Sequence, residues 1–395
     1  MRRATWAARS TQLDRPAVAA AAAAVLVGAF VVLRLLLAGG GLSGFVLAGD
    51  ASSDARRVPA ELHVRHDGGY DGQFVYRIAL DPLTHEQVAH GIALDAPSYR
   101  QGRIATSALA WAVHTATRMP TTGALLLVNA LALVAAAGFG ARLLHDLGGH
   151  SLWGVLLALS LGTVIPLARD LTEPVSWAAV LAGLSWVVRK QWAAAGAAFV
   201  VAVLARETAL LVPAAVGLTV LATAVRTRQW RPALAPAAAM LLPLAALAAW
   251  QAHLRTVWGT APYQGGTHNV GTPFLGVLQS LLGRLHDTSS HAPLLNQTAW
   301  TVERWTLVVL LVTAALAWRR SGLPAALPLA WVLATGLALS LGAWSYDAQF
   351  LRVVNDAIGL SVLVLVLQRT RASRTVLALV AAVSAGVALM YVAAP

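Results

Sequence analysis

The chain has 395 residues, of which 58% are hydrophobic and only 12% charged, with a mean hydropathy of +0.66. A soluble globular chain carries about 25% charged residues; the deficit here runs the whole length, which excludes a soluble domain on a single anchor and points to an all-α, polytopic membrane bundle. The net charge of +12 does not indicate a nucleic-acid partner, because the 29 Lys and Arg lie in short clusters between apolar runs rather than along a basic stripe.

The first apolar run, 17–38, follows Arg2, Arg3, Arg9 and Arg15, which place the N-terminus in the cytoplasm by the positive-inside rule. It is too long for the core of a signal peptide and has no small-residue cleavage site, so a retained helix is expected. Residues 40–120 then form a first extracytoplasmic loop. Within it, 103–118 is short of the roughly 20 residues that cross a bilayer, and is expected to lie as a helix on the outer surface. That choice brings the clusters at Arg142, Arg189–Lys190, Arg226/Arg228/Arg231, Arg319–Arg320 and Arg369/Arg371/Arg374 to the cytoplasmic side. The spans are then 121–143, 151–168, 174–189, 191–205, 207–225, 232–253, 301–318, 323–343, 353–368 and 375–393 after the first, about eleven in a single membrane domain over 1–395. A second long extracytoplasmic loop covers 254–300. The pattern predicts a multi-pass protein of the cell membrane, with the lipid bilayer as its solvent.

This arrangement sorts nearly every acid to one face, with Asp14 and Asp146 as exceptions. Asp50, Asp54, Glu61, Asp67, Asp71, Asp81, Glu86 and Asp95 fall in the first loop. Asp170 and Glu173 fall in "RDLTEP", Glu207 beside Arg206 in "LARETALL", and Asp347, Arg352 and Asp356 in the last external turn. The asymmetry places any chemistry at the outer face. The first loop carries "GGYDGQFVYRIALDP" at 68–82, and two readings of it stand: an ordinary Asp-Gly turn, or a carboxylate set among glycines that let a substrate approach. Arg206 and Glu207 sit between two apolar runs and are expected to act as a unit, by pairing or by sharing a phosphate. Arg100, Arg103, Arg206 and Arg352 reach the same face, and arginine binds phosphate with a planar, permanently charged fork. Tyr70, Phe74 and Tyr76 suit either stacking on a sugar or an aromatic belt. His63, His66 and Asp67 show no metal-ligand spacing. A divalent cation would find oxygen ligands in Asp170 and Glu173. There is no Walker loop and no G-x-G-x-x-G, which argues against a nucleotide donor.

These stretches, together with "SYRQGRI" at 98–104, resemble bacterial members of the GT-C class of membrane glycosyltransferases, which take a sugar from a polyprenyl-phosphate carrier at the outer face. The resemblance covers most of the chain in architecture, and its motifs are confined to the first half. It implies a catalytic base in the first loop, carried over to Asp71 and next to Asp67, with an acidic turn at Asp170 and Glu173. Tyr70, Arg100, Arg103, Arg206, Glu207, Asp347 and Arg352 would hold the substrate. The donor would be a polyprenyl-phosphate sugar and the acceptor an envelope glycan, lipid or protein. The chain lacks the adjacent pair of acids that many members carry in the first loop. A transporter or flippase of a lipid-linked or small polar substrate, and a non-catalytic scaffold of the same architecture, are the alternatives. Ionisable residues at one face and the lack of an internal repeat weigh against transport.

Overall fold

Runs rich in Ala, Leu and Val that lack two-residue alternation satisfy their backbone only as helices in an apolar medium, and helices make up about three quarters of the computed structural model, with almost no sheet. The structure describes residues 14–265, 271–272, 274–281, 294–318, 324–340, 344 and 349–393. The long helices are α1 (Pro16–Leu37), α5 (Thr121–Asp146), α10 (Leu211–Thr227, entered through a 3-10 turn at Glu207–Leu210), α11 (Leu234–Trp258), α12 (Leu294–Ala317) and α16 (Arg371–Ala393). Among the described residues, six helices are long and apolar enough to cross a membrane. Shorter apolar helices are α8 (Glu173–Val188), α9 (Trp192–Ala205), α13 (Ala326–Leu339) and α15 (Asn355–Gln368). The remaining elements that matter to the site are α2 (Gly72–Leu80), α3 (Pro97–Gln101), α4 (Ile104–Thr117), α6 (Trp153–Ala158), α7 (Leu161–Ala168) and α14 (Gln349–Val353).

The segment expected as one span over 151–168 is interrupted: α6 stops at Ala158 and α7 starts at Leu161. The break falls at Ser160, whose backbone is extended (φ −78°, ψ 171°), while Pro166 sits inside the helix that resumes after it. An interruption frees carbonyls that must find donors. Trp177 of α8, fully buried, gives its indole N–H to the Leu157 carbonyl at 2.7 Å. The same indole occupies a notch at Gly359 of α15, where even a methyl group would lie 2.1 Å from the ring.

Helix direction separates the bundle into two ends. Asp146 and Arg189 close the C-terminal ends of α5 and α8 with a two-bond pair at 2.6 and 3.0 Å. At that end Asp14, just before α1, accepts the Ser151 N–H at 2.7 Å. Arg142, Arg226 and Arg228, and Arg369, Arg371 and Arg374 also fall there by the run of their helices, whereas Arg319–Arg320 lie outside the described residues. The opposite end holds the C-terminus of α1, the N-terminus of α5, the N-terminus of α8 and the C-terminus of α9. Residues 38–120 leave α1 and enter α5 at this end, so α4 does not carry the chain across the bundle. At 14 residues it is about 21 Å long, less than the roughly 30 Å of a bilayer core.

The 38–120 segment caps this second end. Two-residue strands pair in parallel, β1 (Ala48–Gly49) with β2 (Val64–Arg65), and antiparallel, β3 (Val88–Ala89) with β4 (Ile92–Ala93). Glu61 ties the cap to α5, accepting from Tyr76 Oη at 2.6 Å and from the Thr121 N–H at 3.2 Å. Gly72 seats the start of α2 directly on the turn after α7: a methyl there would meet the Arg169 carbonyl at 2.3 Å and the Val46 carbonyl at 2.7 Å. Gly68, by contrast, faces open space. Gly72→Ala is therefore expected to destabilise the protein by about 1–3 kcal/mol through overpacking, while Gly68→Ala is neutral. Thermal unfolding of the two variants in detergent checks this, and equal midpoints would mean the cap is not seated on Arg169.

Candidate functional site

Asp71 stands immediately before α2, where the positive end of the helix favours a carboxylate. Its two oxygens are held by two arginines from distant parts of the chain. Arg100 Nη1 of α3 lies 2.9 Å from Oδ1, and Arg352 Nη2 of α14 lies 2.6 Å from Oδ2. Arg100 is itself clamped by Asp95 through two bonds of 2.8 and 2.7 Å and lies over the Phe74 ring at 4.3 Å. Arg352 lies over the Tyr70 ring at 5.1 Å and approaches Glu173 Oε1 at 3.9 Å.

Behind this outer pair is an inner one. Glu173, the first residue of α8, is buried and receives Arg206 Nη1 at 2.6 Å. Arg206 follows α9 and is also buried; it donates to the carbonyls of Arg352 at 3.1 Å and Val353 at 3.3 Å, which are orphans at the end of α14. Its Nε donates to Thr208 Oγ1, whose hydroxyl donates in turn to Asp356 Oδ2 at 3.3 Å. Arg103, at the start of α4, takes Glu207 in a two-bond fork at 3.0 and 2.7 Å and donates to Tyr99 Oη at 2.7 Å. The expected Arg206–Glu207 unit is therefore not a local pair. The extended backbone at Arg206 turns the two neighbours apart, and each finds its partner in another element.

A narrow pocket with about 20 Å³ of free interior lies between Asp71, Phe74, Tyr99, Arg103, Glu173 and Arg352. Its interior is largely filled by the ion pairs themselves. Burial would raise the Asp71 carboxyl, but Arg352 and Arg100 outweigh it and hold Asp71 well below the usual carboxylate range. As arranged, Asp71 is a poor base.

The other expected residues divide. Asp67 is not in the pocket: it accepts the Gly69 N–H at 2.8 Å and pairs with Arg65 at 2.9 Å, so it shapes the turn. Tyr70 lies beneath Arg352, its buried hydroxyl without a hydrogen-bond partner. Asp347 lies outside the described residues. Asp170 and Glu173, considered together as oxygen ligands for a divalent ion, have separate surroundings: Asp170 accepts from Asn129 Nδ2 at 3.2 Å, whereas Glu173 belongs to Arg206. No group of three or more His, Asp or Glu that could hold a metal ion occurs among the described residues. His66 pairs with Asp50 at 3.1 Å at the surface.

Several participants were missed in the sequence. Tyr99 and Asp95 flank Arg100, and the Tyr99–Arg103 spacing is one helical turn, a signal that was readable. Arg169, over the Tyr70 ring at 5.7 Å and the Tyr391 ring at 5.5 Å, was visible only as the neighbour of Asp170. The chain matches no protein-family model, no curated protein and no solved structure.

Two expectations test this geometry. Arg206→Ala should destabilise by about 3–5 kcal/mol, because Glu173 is left charged and buried. A double-mutant cycle should give a large coupling for Arg206 with Glu173 and a clearly smaller one for Arg206 with Glu207; the reverse ranking would restore the local pair. Asp170 supplies the second. It is fully buried at a left-handed φ of 46°, and burial pushes its carboxyl up to about 8, with Asn129 and Arg34 pulling weakly the other way. An acid that ionises near pH 4 when unfolded and only at about 8 when folded keeps its proton longer in the native state. Stability therefore falls as pH rises through that window. Asp170→Asn removes this loss, so its melting temperature relative to the parent should rise from pH 5 to pH 8. A gap that does not change with pH would mean Asp170 is ionised in the fold.

Proposed function

We propose that the protein is a membrane glycosyltransferase of GT-C-like architecture, with about eleven spans, that moves a sugar from a polyprenyl-phosphate carrier to an envelope acceptor at the extracytoplasmic face of the cell membrane. The N-terminus is then cytoplasmic, and the Asp71 end of the bundle faces out. The observation that carries this is the sharing of one pocket by a carboxylate, Asp71, and three arginines suited to a phosphate, Arg100, Arg103 and Arg352.

The acceptor hydroxyl oxygen attacks the anomeric carbon, the bond from that carbon to the phosphate oxygen breaks, and the phosphate leaves with the electron pair. The acceptor proton goes to Asp71. The leaving phosphate is stabilised by arginine. In the resting site the arginines are occupied by Asp71 itself. A donor phosphate that draws Arg352 and Arg100 to itself frees the carboxylate and restores its basicity, so donor binding prepares the base and precedes the acceptor. Asp95 holds the Nε and Nη2 edge of Arg100 throughout, so that only its Nη1 passes from Asp71 to the phosphate.

A transporter is the second reading, favoured by the interrupted pair α6–α7, since transporters use broken helices to hold substrate. Against it, the Leu157 carbonyl freed near that break already accepts from Trp177.

Asp71→Asn retains size and removes the base, so transfer from a polyprenyl-phosphate sugar should drop by about 10²–10⁴-fold, with donor binding kept. Asp67→Asn should lose much less. The assay is sugar transfer by the purified protein in nanodiscs, with acceptors drawn from envelope lipids and glycans. Full transfer by Asp71→Asn would sink the mechanism, and translocation without transfer by the parent would establish the second reading.

A further inference from the structure

The end of the bundle opposite Asp71 holds a second cavity, of about 370 Å³, between the approach to α1, the turn before α6 and the junction of α15 with α16. Its polar wall is Arg369, Arg374 and His150, with Asp14 at one side. Asp14 is already engaged, accepting the Ser151 N–H and lying 3.8 and 4.0 Å from the ring nitrogens of His145 and His150. Arg369 and Arg374 are exposed and make no ion pair among the described residues. Arg369 leans over the turn at Gly148, whose φ of 79° suits glycine; a methyl there would lie 3.6 Å from Nη2. His150 and Trp153 also open a larger groove of about 810 Å³, lined almost wholly by apolar side chains of α1, α6, α7 and α16. Along α16 this groove begins at Ala381, about 10 Å up the helix from Arg374, and runs about 17 Å further to Val392 near the Asp71 end, at 1.5 Å per residue.

A soluble anion would use the basic wall and leave the groove empty, and an apolar chain alone would leave two unpaired arginines beside it. We propose that the pair of cavities is a binding site for an anionic phospholipid, with its phosphate on Arg369 and Arg374 beside His150 and an acyl chain in the groove. Basic pockets between membrane helices bind anionic head groups in this way, and the arginine fork suits a phosphate. The inference rests on the bundle crossing a bilayer and does not depend on the transfer reaction.

The test uses the full-length protein, delipidated in detergent and titrated separately with phosphatidylglycerol, phosphatidylcholine and sodium phosphate, following the thermal midpoint and the bound lipid by native mass spectrometry. Phosphatidylglycerol should bind and raise the midpoint, and the other two should not. Arg369→Gln/Arg374→Gln should weaken its retention by on the order of tenfold or more. Arg226→Gln/Arg228→Gln, on another turn at the same end, should leave retention unchanged. Ala385→Trp, at an exposed position in the groove, should weaken retention without touching the arginines and serves if the double variant folds poorly. Equal effects of sodium phosphate and phosphatidylglycerol would reduce the site to one for soluble anions and overturn the proposal. Retention indifferent to Arg369 and Arg374, or equally sensitive to Arg226 and Arg228, would overturn it too.

Discussion

Arg206 binds Glu173 in a place that water does not reach: the two side chains are 5% and 2% exposed. A charge buried there is tolerated only when paired and hydrogen-bonded, so the elements that supply its partners must meet. They are the N-terminus of α8 (Glu173), the C-terminus of α9 (Arg206), and the last carbonyls of α14, with Thr208 leading on to Asp356 at the start of α15. Once the backbone at Arg352 is fixed by Arg206, the Arg352 side chain is aimed at Asp71, and the cap formed by 38–120 is tied to the bundle. The candidate site is thus also the joint between the two parts of the protein. A substitution there acts on stability and chemistry together, and measurements at this end need both readouts.

The chain of charges is graded in exposure, and the grading assigns different duties. Asp71 is 26% exposed, Arg100 17% and Arg352 13%. The outer pair borders the pocket, so a substrate phosphate that replaces Asp71 keeps both arginines paired while the outer link opens. The inner link cannot open in this way, because opening it would strand a charge in an apolar surround. The sealed pair therefore serves as an anchor while the outer arginines are the movable members. A site with Asp71 clamped and little free interior is then a closed resting arrangement, which keeps a carboxylate and several arginines together without a ligand.

Much of this was legible before the structure. The apolar runs show where helices form, because lipid leaves the backbone no alternative, and each span expected within the described residues has a helical counterpart, that over 151–168 in two pieces. The crowding of acids at one face also follows from the charge pattern alone. Partner choice did not follow. Asp71 and Arg352 are 281 positions apart and Arg103 and Glu207 are 104 apart, so no local spacing announces either pair, and adjacency suggested the wrong one for Arg206 and Glu207. The resemblance, not any contact, ranks Asp71 ahead of Asp67; in the structure Gly72, but not Gly68, is pressed against the Arg169 backbone, which seats Asp71 at the site.

The α6–α7 pair connects the two ends. Its first turn borders the basic cavity at His150 and Trp153, its length lines the apolar groove, and it runs into Arg169, whose carbonyl supports Gly72 beside Asp71. An interrupted helix invites description as a hinge. Here the freed Leu157 carbonyl is taken by the buried Trp177 indole, which is locked in turn against Gly359, and although the buried Ser160 hydroxyl at the break has no hydrogen-bond partner among the described residues, the close-packed neighbours resist bending. The break is better understood as a fixed offset, one that redirects α7 so that Arg169 reaches Tyr70 and Tyr391 while α6 stays against α5. On that view a lipid seated in the groove supports the wall behind Asp71 by filling space, and its effect on the outer face would come through packing rather than through motion of the helix pair.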